Sequence, residues 1–239
     1  MSTFDSHGPD VEAHERIDPF LDGRLHMIQS KRGYRFSVDA LLLAGFARVG
    51  KGDLVADLGT GCGIISLMLL FTRSVARVVG LEIQEDLASQ AARNARLNRC
   101  EERMTVVRGD LRRPPFKACA FDVVICNPPY RKADSGRINP DPERAIARHE
   151  ILASLGEVLS AAHWLLRGKG RLAVMYPAER LTDLLARMRG IGLEPKRVQA
   201  LHPDLHSPAK RVLVEAAKDG RPGIRVLPPL VDQGDFSLP

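Results

Sequence analysis

Three acids and one tetrapeptide carry the chemistry open to this chain. Asp57 lies in the strand-like run Leu54-Val55-Ala56-Asp57-Leu58. Glu82 closes Arg77-Val78-Val79-Gly80-Leu81-Glu82, and Asp110 follows Met104-Thr105-Val106-Val107-Arg108 by one glycine. Asn127-Pro128-Pro129-Tyr130 follows the apolar run Phe121-Asp122-Val123-Val124-Ile125-Cys126. Between the first acid and the next helical stretch lies Gly59-Thr60-Gly61-Cys62-Gly63. The dinucleotide fingerprint G-x-G-x-x-G places a pyrophosphate at a helix N-terminus. Here the spacing is G-x-G-x-G, and the acid before it repels a pyrophosphate and attracts an ammonium group. A carboxylate ending the second strand can accept both hydroxyls of a ribose. Asp110 can accept from an adenine amino group. Leu111 can touch the ring, and Ile83, beside Glu82, joins the same set. The combination points to S-adenosylmethionine, with its cationic methionine end, rather than to NAD or ATP. Each acid alone is as compatible with a helix cap; the signal is the three together, in order.

The tetrapeptide supplies the other reactant's seat. The Asn127 amide oxygen and the Pro128 carbonyl can both accept from one NH₂ group. Proline has a fixed φ and no N–H, so Pro128 and Pro129 stiffen the loop. Tyr130 offers a flat face for a planar ring. Such a cage suits an exocyclic amine on a base or a side-chain amide.

These residues need strand ends to hold them, and the chain alternates accordingly. Strand-like runs at 54–58, 77–82, 104–108, 121–126 and 170–176 are separated by helical patterns at 64–71, 84–98, 149–166 and 178–189. Such alternation predicts a parallel-dominated α/β sheet with helices on both faces. The runs 193–200 and 211–217 predict an antiparallel hairpin at the sheet edge. Upstream, Leu25 to Gln29 and Tyr34 to Phe36 predict a short hairpin around Ser30-Lys31-Arg32-Gly33. Ser37 is placed to cap a helix running from Val38 to Ala47, with Asp39 in its first turn. Residues 1–22 read as a flexible N-terminus, 23–217 as one domain, and 218–239, rich in Gly and Pro, as an irregular tail.

The 239 residues carry a formal net charge of +6, which fits a polyanionic partner without naming one. Lys31, Arg32 and Arg35 before the core, and Arg131, Lys132 and Arg137 after the tetrapeptide, are the candidates for RNA phosphates. No run approaches the ~18 apolar residues of a membrane span, and the N-terminus lacks a signal-like apolar core, so a cytoplasmic protein is expected. The four cysteines form no C-x-x-C pair, and His7 and His14 have no metal-ligand spacing; no metal is expected.

At these residues the chain resembles class I S-adenosylmethionine-dependent methyltransferases of the amino-methylating branch. The segment Gly33-Tyr34-Arg35-Phe36-Ser37-Val38-Asp39-Ala40-Leu41-Leu42-Leu43 and Arg148-His149-Glu150 more narrowly resemble the bacterial tRNA (adenine-N6) methyltransferases. The resemblance runs from about Leu25 to Ala217. It implies a Rossmann-like seven-stranded sheet, mostly parallel, with one antiparallel strand near an edge. It implies Ser37 and Asp39 near the cofactor, and an adenine in tRNA as target, flipped out of its stack. Two alternatives stay open: methylation of a protein glutamine, which fits the same cage, and a non-catalytic module that binds RNA or a partner.

Overall fold

The computed structural model describes residues 11–31, 38–128 and 153–231. Ser37, Arg32, Arg35, Pro129, Tyr130, Arg131, Lys132 and Arg137 lie outside the described residues, as does the Tyr34-to-Phe36 strand.

The core begins with α1 (Val38–Phe46), β3 (Leu54–Leu58), α2 (Ile64–Thr72), β4 (Arg77–Glu82), α3 (Glu85–Leu97), β5 (Met104–Arg108) and β6 (Phe121–Cys126). It continues through α4 (Leu155–Leu165), β7 (Leu166–Pro177), a 3₁₀ turn at Ala178–Arg180, α5 (Leu181–Gly190), β8 (Leu193–His202) and β9 (Arg211–Lys218). The seven long strands lie in the order β5-β4-β3-β6-β7-β9-β8. All run parallel except β9, which is antiparallel to both neighbours. Because the central strands β3 and β6 are buried on both faces, they read as nearly unbroken apolar runs. One core layer packs α1, α2 and α3 on the sheet, and the other packs α4 and α5. No helix among the described residues is long and apolar enough to cross a membrane.

Three expectations need correction. β2 (Leu25–Ser30) pairs antiparallel with β1 (Glu15–Phe20), a strand within the stretch expected to be loose. Its sequence, Glu-Arg-Ile-Asp-Pro-Phe, hides the strand because its buried anchor is charged. Glu15 is buried against Arg93 and Gln90 of α3, with Arg93 Nη2 to Glu15 Oε1 at 2.7 Å and Gln90 Nε2 to the same oxygen at 2.9 Å. Arg93 holds the Glu15 carboxyl down at about 2. The tail is also ordered where it was expected irregular: β10 (Arg225–Val226) and β11 (Leu230–Val231) both pair parallel with β8. Side chains on β8 hold it, with Lys196 Nζ donating to the Arg221 carbonyl at 2.8 Å and Gln199 Nε2 to that of Pro228 at 2.9 Å. Finally, α4 starts later than the predicted 149. Ser154 caps it, accepting from the Glu157 N–H while the Glu157 carboxylate accepts from the Ser154 N–H.

Candidate active site

Strand register assembles the site. Leu58 pairs with Leu81 and with Cys126, and Leu81 pairs with Val107. The residues one step on, Gly59, Glu82, Arg108 and Asn127, therefore form a row along the carboxyl edge of four adjacent strands, with Asp110 two residues beyond Arg108. The chain goes from β3 to β4 and β5 on one side and returns to β6 on the other. That reversal opens a crevice between β3 and β6, the position where open α/β sheets bind ligands. Gly59 and Asn127 flank it.

The glycine turn is shaped from below as well as for a ligand. Gly59, Gly61 and Gly63 have φ of 71°, 58° and 86°, a region that side chains other than glycine's rarely adopt. A Cβ on Gly63 would lie 2.6 Å from the Met104 methyl and 3.3 Å from Ala91, so this glycine also lets the turn sit down on α3 and β5. A Cβ on Gly59 would meet nothing within 4 Å. The Gly59 and Thr60 N–H groups both donate to the Leu81 carbonyl, at 2.8 and 3.1 Å, which ties the turn to β4.

Asp57 is 0 % exposed. Its Oδ2 accepts from Thr60 Oγ1 at 2.7 Å and Ser66 Oγ at 2.8 Å, whereas its Oδ1 has no hydrogen-bond partner among the described residues. Burial raises its pKa to about 6. An anionic oxygen buried without a donor is costly, and an incoming ammonium group removes that cost. Glu82 is buried too. Its Oε2 accepts from the Gly61 N–H at 2.9 Å and its Oε1 from the Gln84 N–H at 3.0 Å, which fixes both oxygens and leaves each a lone pair. Ile83 is half-buried next to it. Asp110 is engaged by Arg112, which donates its backbone N–H to Oδ1 at 2.9 Å and its Nε to Oδ2 at 2.7 Å. Arg112 holds the Asp110 carboxyl below the usual range. Leu111 packs half-buried against the core layer of α4. This donor set fits S-adenosylmethionine: an unpartnered carboxylate oxygen for an ammonium, two fixed acceptors for a diol, and an acid beside an apolar side chain for an aminopurine.

The other predicted residues divide. Thr60 turns its hydroxyl inward, onto Asp57. Asp39, in the first turn of α1, faces Arg211, with Nε to Oδ2 at 3.7 Å. Asn127 is half-buried and Pro128 buried at the end of β6. Cys126, fully buried just before them, has its thiol pKa pushed up by burial, which makes it an inert neighbour. Lys31 reaches back to the Ala13 carbonyl at 2.8 Å.

Sequence reasoning missed three supporting residues. Ser66, one turn into α2, holds the Asp57 oxygen. Gly80 in β4 makes room for Thr60, because a Cβ there would come within 2.8 Å of the Thr60 side chain. Asn94 of α3 is 0 % exposed, and its Nδ2 donates to the Cys62 carbonyl in the glycine turn at 2.9 Å. Its Oδ1 accepts from the Ile28 N–H at 2.6 Å, so one amide joins the turn to β2. Asn98, one turn on, brackets His26 in the same way, accepting its N–H at 2.9 Å and donating to its carbonyl at 2.6 Å. The register explains why β2 is free to do this. In an antiparallel pair alternate residues turn their backbone groups away from the partner strand, so His26 and Ile28, two apart, both face α3, and Pro19, opposite His26, removes no ladder hydrogen bond. The legible signal was an i, i+4 pair of Asn on the apolar side of a helix.

Known proteins bear on this geometry. The profile of the methyltransferase small domain family matches residues 37–177. A tRNA1(Val) (adenine(37)-N6)-methyltransferase from Porphyromonas gingivalis is 32 % identical over 206 residues, spanning 83 % of this chain and 80 % of the relative. Among solved structures, a predicted O-methyltransferase from Agrobacterium tumefaciens superposes with a TM-score of 0.65 at 21 % identity, covering 82 % of this chain and 88 % of that one. A geranyl diphosphate C-methyltransferase from Streptomyces coelicolor, solved with S-adenosyl-L-homocysteine, gives 0.55 at 16 % identity, covering 76 % and 75 %. These two likenesses concern the fold.

Proposed function

The chain belongs to the methyltransferase small domain family, and from that premise we propose that this S-adenosylmethionine-dependent methyltransferase methylates the exocyclic N6 amine of an adenine in tRNA. The observation that carries the reading is the register that sets Asn127 in one row with Gly59 and Glu82. The relatives' named substrate supports the choice of tRNA over a protein amide. A cytoplasmic location goes with that substrate.

S-adenosylmethionine supplies a methyl group on a positively charged sulfur. Asp57 Oδ1 accepts the ammonium of its methionine end, and the positive N-terminus of α2 suits the carboxylate beside it. The Glu82 oxygens accept the ribose hydroxyls through their remaining lone pairs. Asp110 accepts from the adenine amine while Leu111 and Ile83 enclose the ring. Gly59, Gly61 and Gly63 let the ligand approach the backbone, and Thr60 keeps Asp57 oriented. The resemblance to the amino-methylating family adds Asp39, which faces Arg211, and Ser37, outside the described residues, as candidate cofactor contacts.

The target amine is a poor nucleophile because its lone pair is delocalised into the purine. The Asn127 side-chain oxygen and the Pro128 carbonyl accept its two N–H groups, which favours a pyramidal nitrogen and stabilises the charge that grows as the methyl arrives. Pro129 and Tyr130 lie outside the described residues; their types assign them to stiffening the cage and stacking on the base. By fixing the amine in place, the cage would position it for the methyl group that bound S-adenosylmethionine would supply, and such positioning contributes much of the rate. No strong base is needed, because the nitrogen becomes acidic once methylated and water takes its proton.

Incubation with methyl-labelled cofactor and, separately, tRNA, total protein and DNA tests this. Label recovered as N6-methyladenosine from tRNA is the expected result. Label in protein glutamine alone, or in no fraction, overturns the reading.

A further inference from the structure

A second charged region lies at the outer edge of the sheet, away from the acids. Arg48, Lys196, Arg197 and Arg225, with Gly223 and Ile224, line a cavity of about 470 Å³. None of the lining residues is acidic. Lys196 and Arg197 are consecutive on β8 and in a regular strand would point to opposite faces. The pairing with β9 slips there: Pro195 pairs with Ala216 and Arg197 with Glu215, so Lys196 is an extra residue in a β-bulge. The bulge re-aims the strand and brings both cations to one cavity.

The cations are held in place in advance. Glu215 is 1 % exposed beneath them. Its Oε1 accepts from Arg48 Nε at 2.8 Å and its Oε2 from Arg197 Nη1 at 3.1 Å. The Arg197 guanidinium also lies 4.5 Å over the Phe46 ring. Pairing of β10 with β8 adds Arg225 from the tail. A single carboxylate accounts for at most two of the four cations, and the bulge and the tail serve to add two more. Like charges gathered in this way repel one another unless an anion joins them. A small-molecule pocket is lined mainly by hydrophobic and aromatic side chains, whereas four of the six residues lining this one are cationic.

Resting on the tRNA reading, we propose that this bulge pocket binds the phosphate backbone of the RNA substrate outside the target nucleotide. It lies three strands from β6, about 14 Å across the sheet. A ligand touching both Asn127 and the pocket must therefore be extended, which suits a polynucleotide. The methylation cage selects an amino group, and the bulge pocket supplies affinity that does not depend on base sequence.

The test is the double variant Lys196→Gln/Arg225→Gln, with Lys196→Arg/Arg225→Lys as the charge-preserving control. Binding to unfractionated tRNA is measured between about 50 and 200 mM salt. The expected slope of log K against log salt is shallower by about 2, roughly 0.9 for each phosphate that is no longer neutralised. KM for tRNA rises roughly tenfold, with kcat and cofactor affinity unchanged, and the charge-preserving pair keeps wild-type slope and KM. An unchanged slope and KM in the Gln variant overturns the pocket's role while leaving the activity reading intact. A shallower slope in a protein that labels no RNA upholds the pocket and overturns the activity reading. Absence of tRNA binding by the unaltered protein overturns the pocket proposal outright.

Discussion

The carboxyl edge at the middle of the sheet and the rim along β8 solve opposite problems. At the middle, Asp57 and Glu82 are buried acids fixed by hydroxyls and backbone N–H groups, and one Asp57 oxygen has no donor among the described residues. At the rim, cations cluster around an open cavity over one buried acid. The middle strands are held by long parallel pairing on both sides, so they can carry an unmet polar atom at small structural risk. The rim is built from a bulge and two-residue strands, which re-aim side chains but enclose nothing. A small charged ligand needs the first kind of site and a large flexible one the second.

That division can be broken in four ways. The largest effect is expected for Asn127→Ala, which removes one acceptor proposed for the target amine. Steady-state kinetics should show methyl transfer down about 10²–10³-fold, with calorimetric cofactor affinity and tRNA affinity little changed; retained turnover rules out its catalytic role. Next, Asp57→Asn should weaken cofactor binding about 10–100-fold, the worth of a charge-assisted hydrogen bond. The same variant should match or exceed the parent in thermal stability at pH 7, because the buried charge is costly while no ligand is present.

Third, Glu215→Gln should cost about 1–3 kcal/mol in denaturant unfolding, since Arg197 loses a buried partner whereas half-exposed Arg48 turns to water. Cofactor affinity should not follow, and a matching loss there would show that middle and rim are one unit. The smallest effect concerns pH. Burial raises the Asp57 pKa from 3.8 to about 6, so the ligand-free protein gains stability from this group below pH 4 and loses it as pH rises through 6. The cofactor's ammonium favours the ionised form, so affinity runs the other way: level above pH 6 and roughly tenfold weaker at pH 5 than at pH 7. In Asp57→Asn both trends should vanish.

Much of the middle was legible because its signals are local. Strand runs, the glycine turn and an acid at each strand end lie within a few residues of one another, and parallel register converts chain order into a spatial row. The supports were not legible in the same way. Ser66, Gly80 and Asn94 matter through contacts 9 to 66 residues away, and a Ser or Asn in a helix has many ordinary reasons to be there. Strand β1 escaped because a buried Glu15 looks like a surface residue until Arg93 is placed beside it. The tail escaped because Gly and Pro composition does not reveal that β8 offers it an unpaired edge.

The amino-acid sequence by itself determined the alternating α/β architecture and the order of acids along it, and it carries the tetrapeptide proposed to read an amine. Those follow from periodicity and from which side chains can accept or stack, properties that each segment carries alone. Tertiary structure decided which acid oxygen lacks a donor, how the N-terminal hairpin is clamped to the glycine turn and which cations share a cavity. Those depend on burial and on pairing between distant segments, and a one-residue slip in β8 that changes where two consecutive side chains point is written in the pairing rather than in either strand.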